Sequence, residues 1–295
     1  MIEIERFSKP FRKMRVIDNL SLRVEAGERI ALIGANGAGK TTLIRCILGE
    51  YVAEGRIRID GLDPRTGRAD VLKRVGFVPQ LPPPLKITVA DLIAFSSGVC
   101  GADPARIGAV ASELGLDVKD VSARPFVKLS GGQKQKLLIA VALGRETRLL
   151  ILDEPAANLD PVARQKFFQL LAARKNDTML MSSHRVDEVS ALVTRVIEMD
   201  RGAITLDHRL ADDRLNGAHF RATVSMGRME PAFAAALEQW GFTRDGGLVW
   251  RGAVAHPDRL RFLCLLSHYS GQIGALALDE MREPEAADAP LIFCA

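Results

Sequence analysis

Through the first half of the chain, short apolar runs bounded by turn residues alternate with stretches whose apolar positions recur at helical spacing. A run at 29–33 leads into a glycine-rich loop and then into a segment, 41–48, with a helix-like apolar face. Further runs at 56–59, 75–78, 149–152, 178–181 and 196–199 are short and flanked by Gly, Asp or Pro. Strand runs alternating with helical segments predict an α/β core with a largely parallel sheet, and these runs are its buried-strand candidates. The opening Met1-Ile2-Glu3-Ile4-Glu5 alternates like a strand and lacks the basic-then-apolar design of a secretion signal.

Between Pro82 and about Lys128 the strand pattern stops. Segments 89–95 and 107–114 have helical apolar spacing, with Gly115 placed to end the second, so this region reads as a helical insertion spanning about 82–145. Three consecutive prolines, Pro82 to Pro84, stiffen its entry because each fixes φ. After about residue 210 the pattern changes again. Strands are expected at 220–226, 248–250 and 273–278, helices at 231–240 and 258–268, together a small βαβαβ appendage. The acidic, Ala- and Pro-containing stretch 283–290 reads as a flexible near-terminal segment.

Composition narrows the class. At 295 residues the chain has room for one full-sized domain and a smaller one, divided here as 1–210 and 211–295. A hydrophobic share of 47% and a charged share of 26% are those of a chain that packs a core. The formal charge of +4 is mild and interspersed, which argues against nucleic acid as a partner. Cys46, Cys100, Cys264 and Cys294 stand far apart, suggesting neither a disulfide framework nor a zinc knuckle and fitting a reducing, cytoplasmic compartment. No apolar run approaches the ~20 residues that span a bilayer, so any membrane-spanning role falls to another chain. In the appendage, His219, Met226, Met229, Cys264, His268 and Met281 are soft-metal ligand types without metal-site spacing, and such residues commonly fill small cores.

Three motifs carry chemistry. Gly34-Ala35-Asn36-Gly37-Ala38-Gly39-Lys40-Thr41, followed by Thr42, fits G-x-x-x-x-G-K-[ST] and lies between a strand and a helix. Such a loop turns its N–H groups toward phosphate at a helix N-terminus, where Lys40 would reach the β- and γ-phosphates and Thr41 would ligate magnesium. Next, the apolar run 149–152 ends in Asp153-Glu154, an acidic pair at the strand end where doubly wound sheets bind ligands. Asp153 would hold the metal and Glu154 would act as general base. Third, Ser130-Gly131-Gly132-Gln133 precedes a segment with an apolar face, 134–144; Ser130 is an N-cap candidate, and the glycines suggest close approach of something to the backbone.

In this order and spacing, over about residues 1–210, the motifs resemble those of the ABC ATPase family. That resemblance implies a P-loop NTPase fold: a mostly parallel sheet core, antiparallel N-terminal strands, the helical insertion, and here a small α+β C-terminal domain. It implies an ATP hydrolase using ATP and Mg2+. Phe11 stands where relatives have an adenine-stacking aromatic, usually tyrosine. Gln80 matches the glutamine that senses magnesium and the attacking water, Ser130 to Gln133 the signature that meets the γ-phosphate held by a second copy, Asn158-Leu159-Asp160 the segment crossing that interface, and His184 the switch histidine. The chain departs at Lys134-Gln135-Lys136, where Gln-Gln-Arg is commoner, and at Ala156-Ala157, where Thr-Ser is frequent.

The implied role is that of a motor whose head-to-tail dimer drives a separate integral membrane subunit from the inner face of the cell membrane. The extra C-terminal domain resembles single-cassette export-type systems, and a regulatory or dimer-stabilising role is expected of it. A soluble assembly or maturation factor is the alternative.

Overall fold

The computed structural model describes the chain except residues 12–13, 184–188, 210–218, 256–257, 259–261, 264, 267–268 and 282–295. Candidate His184, most of the helix expected over 258–268, and the 283–290 segment therefore lie outside the described residues. The chain divides into two compact units, Met1–His208 and Arg209–Ala295.

The first unit holds two sheets. β1 (Ile2–Phe11), β2 (Met14–Val24) and β4 (Glu54–Ile59) form an antiparallel sheet in the order β2-β1-β4. The run at 56–59 therefore does not join the parallel core. Its side chains alternate exposed Arg56 and Arg58 with buried Ile57 and Ile59, the pattern of a sheet wetted on one face.

The second sheet has six strands, with β5 (Val75–Val78), β6 (Leu149–Asp153), β7 (Thr178–Ser182), β3 (Arg29–Ile33), β8 (Arg195–Asp200) and β9 (Ala203–Arg209) in that order. The first five run parallel, and β6 and β7 are buried at every position, so they read as continuous apolar runs without alternation. α1 (Lys40–Ile47) buries Leu43, Ile44, Cys46 and Ile47 in the core that β1, β3 and β6 also line. Burial pushes the Cys46 thiol up to about 11, leaving it protonated and unreactive at neutral pH.

α2 (Arg68–Arg74) precedes β5, and the helical insertion follows it. α3 (Val89–Cys100) starts at a reciprocal cap between Thr88 and Asp91 and stops at Gly101 with φ 65°. α4 (Pro104–Glu113) starts on Asp103 with Pro104 at its first position. Short α5 (Val118–Val121) leads to α6 (Gly131–Leu143), which returns the chain to β6. Phe126 is fully buried among Val89, Ile107, Ala111 and Leu137 in a core separate from that of the sheet. Because its neighbours can close only partly around the void, Phe126→Ala should cost about 3–5 kcal/mol, read as a fall in the urea midpoint. α7 (Pro161–Ala173), unmarked by the apolar pattern, connects β6 to β7.

Among its described residues the second unit carries four strands where three were expected. β10 (His219–Met226), β11 (Thr243–Arg244), β12 (Val249–Ala255) and β13 (Ile273–Met281) form an antiparallel sheet in the order β11-β12-β10-β13. Two-residue β11 is too short to leave an alternation in the sequence. Ala222, Val224, Met226, Trp250 and Val254 pack with Phe233 and Leu237 of α8 (Pro231–Gln239) and with Phe242, Phe262 and Leu266. Met226 is thus a core side chain, while Met229 is 41% exposed. Among the described residues, no group of three or more His, Cys, Asp or Glu could hold a metal.

Candidate functional site

Parallel register places the ends of four adjacent strands at one level. Val78 pairs with Leu152, Asp153 with Ser182, and Leu32 with Ser182. The loops leaving β5, β6 and β3 at their carboxyl ends therefore carry Gln80, Asp153-Glu154 and the glycine-rich loop to a common rim, the ligand-binding edge of doubly wound sheets.

The glycine-rich loop is held from below. Gly34 has φ 143°, and a Cβ there would overlap the Met199 carbonyl oxygen. Gly39 has φ 107° at the N-cap of α1, a conformation that side chains rarely adopt. The Ala38 N–H donates to the Ala35 carbonyl (3.1 Å), and the Gly202 N–H donates to the Ala38 carbonyl (2.9 Å). Ala35, Asn36 and Gly37 are exposed, so the crest of the loop faces solvent.

Lys40 is 5% exposed, and its Nζ donates to the Gly34 (2.6 Å) and Ala35 (3.2 Å) carbonyls. The ammonium thus sits within the curve of its own loop. No acidic side chain occupies the first turn of α1, so nothing on that helix offsets its N-terminal partial charge. Thr41 and Thr42 follow, both half-buried.

The acid pair is built differently. Asp153 ends β6 at 3% exposure, and its Oδ1 accepts from the Ser182 hydroxyl at 2.6 Å. The Glu154 N–H donates to the same hydroxyl at 2.9 Å. Glu154 has φ 43°, left-handed backbone that costs a residue with a Cβ about 1–2 kcal/mol. Its carbonyl accepts from the Ala157 N–H at 3.2 Å, so the strained residue is tied on both sides.

Asp153 Oδ2, the Thr41 hydroxyl and the Gln80 side chain have no hydrogen-bond partner among the described residues. Hard oxygen atoms left unpaired at one rim are the donor chemistry that suits Mg2+.

The serine–glycine turn stands on different neighbours. Ser130 caps α6: its Oγ accepts from the Gln133 N–H (3.2 Å), and Gln133 Oε1 accepts from the Ser130 N–H (3.0 Å). Ser130 and Gly131 are exposed, while a Cβ on Gly132 would stand 3.2 Å from the Asn158 carbonyl oxygen. Gln135, fully buried, donates from Nε2 to the Pro155 carbonyl at 2.9 Å. Lys136 reaches Asp160 at 2.8 Å, and with the Ala163 N–H this holds the Asp160 carboxyl below the usual carboxylate range. Asp160 also caps α7 by accepting from that N–H. The two lysine-for-family departures at 134 and 136 thus leave a cation at 136 where the chain needs one for Asp160.

Phe11, at the end of β1 and 39% exposed, meets Tyr51 edge-on at 5.4 Å between centroids. Lys9 Nζ lies 4.3 Å from the Phe11 centroid, and the Tyr51 hydroxyl accepts from Arg45 at 2.8 Å. The sequence pattern did not single out Ser182 or Tyr51. For Ser182 a signal exists: it is the first of two consecutive serines, Ser182-Ser183, that close the apolar run Met179-Leu180-Met181 just before His184.

Comparison with known proteins agrees with this geometry. The family profile described as ABC transporter matches residues 17–157. The phosphate import ATP-binding protein PstB of Thermotoga maritima is 32% identical over 221 residues, covering 69% of this chain and 88% of that protein. The cobalt import ATP-binding protein CbiO of Syntrophus aciditrophicus is 36% identical over 220 residues, covering 71% and 78%. Among solved structures, an ATP-binding subunit of an ABC transporter superposes with a TM-score of 0.66 at 26% identity, covering 73% of this chain and 92% of that one. With the glycine-rich loop, the acid strand and the capped serine–glycine turn on one scaffold, the chain belongs to the ABC transporter family, as one of its ATP-binding, ATP-hydrolysing subunits.

Proposed function

We propose that two copies of this chain close head to tail on ATP and open on its hydrolysis, passing that motion to a separate integral membrane subunit at the inner face of the membrane. The observation that carries this reading is the convergence of Gln80, Asp153, Glu154 and the Gly34–Thr41 loop at the carboxyl edge of one parallel sheet.

The Lys40 ammonium is held by loop carbonyls. With nucleotide bound it turns to the β- and γ-phosphates, while the N–H groups of Gly37 and of Gly39 to Thr42 face the phosphate chain. Phe11 offers its ring to the adenine. Thr41, Asp153 and Gln80 would hold a Mg2+ through oxygens that have no hydrogen-bond partner among the described residues, and the ion would supply charge neutralisation on the phosphate oxygens. Glu154 takes a proton from the attacking water, the new P–O bond forms at the γ-phosphorus, and the bond to the β,γ-bridging oxygen breaks to leave ADP and phosphate.

The exposed Ser130-Gly131 turn and Gly132 then face the γ-phosphate held by the partner copy, with Gln133 maintaining the cap and Asp160 anchoring the crossing segment. Within its own chain this turn faces Asn158 at Gly132, and the α6 residues that follow it, Gln135 and Lys136, reach Pro155 and Asp160, whereas the glycine-rich loop packs on Val16, Met199 and Gly202. Separate supports within one chain favour a site completed by a second copy.

For the membrane subunit, the insertion offers exposed apolar side chains at Leu81 (73%), Phe95 (62%) and Val99 (49%). No helix among the described residues is long and apolar enough to cross a membrane. Phe95→Asp should leave basal ATP hydrolysis within about twofold while abolishing co-purification with the membrane subunit, because a carboxylate buried in an apolar contact costs several kcal/mol. Retained co-purification would place the docking surface elsewhere.

A further inference from the structure

Ser182 ends β7 with no exposed surface. A serine hydroxyl has one proton to give and lone pairs to accept with. Here the proton goes to Asp153 Oδ1 at 2.6 Å, and a lone pair takes the Glu154 N–H at 2.9 Å. One side chain on the neighbouring strand therefore holds both members of the acid pair: Asp153 through its carboxylate, Glu154 through its main chain.

The two bonds have separate consequences. A charge-assisted bond to Oδ1 fixes the rotation of the Asp153 carboxylate, so Oδ2 is the oxygen left outside that bond. The bond from the Glu154 N–H holds φ at 43°, a conformation that a glutamate does not keep without outside support. Where that backbone goes, the carboxylate goes too. Removing the hydroxyl would leave a buried N–H without a partner and free Glu154 to relax toward ordinary backbone, turning its carboxylate away from the rim.

We propose that Ser182 is a positioning residue for ATP hydrolysis, its hydroxyl setting the aim of the Asp153 and Glu154 carboxylates from the adjacent strand. This rests on the reading of those two residues as metal-holding group and general base.

The test compares Ser182→Ala and Ser182→Thr in the full chain by ATP turnover, by binding of fluorescent ATP without divalent cation, and by melting temperature. Ser182→Ala is expected to lower kcat about ten- to a hundredfold, the worth of a hydrogen bond to a charged group. Cation-free ATP affinity should stay within about twofold, since the phosphate loop is untouched. Ser182→Thr, which keeps the hydroxyl and suits a strand, should regain most of kcat. Wild-type kcat in the alanine variant, equal loss in both variants, or a kcat loss matched by lost ATP affinity would each overturn the proposal. If Ser182→Ala does not fold, Ser182→Cys takes its place, a lowered kcat supporting the proposal and an unchanged one overturning it. Glu154→Gln run in parallel separates the two readings: if it turns over normally, the acid-pair assignment itself fails. If it is inactive while Ser182→Ala is normal, only the role of Ser182 fails.

Discussion

Glu154→Gln is expected to cut ATP turnover by about a hundredfold to ten-thousandfold while ATP still binds, the range that general-base catalysis contributes. The amide keeps the shape of the carboxylate and a carbonyl oxygen, but it cannot accept the proton of water at neutral pH. Backbone placement should survive the change, because the ties that hold residue 154 at φ 43° run from its main chain to Ser182 and Ala157. The loss therefore falls on kcat and spares nucleotide affinity. Phosphate release under saturating ATP measures the first, and equilibrium binding of a fluorescent ATP analogue measures the second. Turnover near that of the unaltered protein would remove Glu154 from the base's place.

Lys40→Ala is expected to weaken ATP binding itself, by about ten- to a hundredfold, since a buried cation opposite phosphate contributes in the ground state as well as the transition state. Two losses combine. The phosphate chain loses its charge partner, and the Gly34 and Ala35 carbonyls lose the ammonium that now bridges them. Lys40→Arg should not restore binding, because at 5% exposure there is little room for the larger, planar guanidinium. Titration with ATP in the absence of turnover reads the effect, and unchanged affinity in Lys40→Ala would count against the loop as the phosphate cradle.

Much of the molecule could be read from the chain because its parallel core writes itself plainly. Strands buried on both faces, such as 149–152, show as uninterrupted apolar runs, and the phosphate loop must be glycine-rich to bend as it does at Gly34 and Gly39. What was less legible depends on partners. Strand β4 alternates Arg56 and Arg58 with Ile57 and Ile59, which marks a half-exposed strand, but only its pairing with β1 shows which sheet it joins. Helix α7 has a start signal in Asp160-Pro161, but its three buried residues, Ala163, Phe167 and Leu171, form too thin a stripe to stand out.

The site divides along the same line. Asp153 and Glu154 announce themselves as charges closing an apolar strand, whereas the left-handed backbone at Glu154 has no mark in composition. Ser182 lies 28 residues beyond Glu154 along the chain, and only the register of β6 against β7 brings its hydroxyl to both acids. The cation at Lys136 shows the converse: the sequence reveals a departure from the commoner arginine, and the 2.8 Å contact with Asp160 shows the charge still used.

The central claim is that one triphosphate is shared between two copies. The structure of Glu154→Gln with ATP and Mg2+ bound tests it most directly. The account predicts a head-to-tail pair in which each γ-phosphate lies within hydrogen-bonding distance of Lys40 from one copy and Ser130 from the other. ATP bound at the glycine-rich loop of a pair whose serine–glycine turns face away from the nucleotide would contradict it.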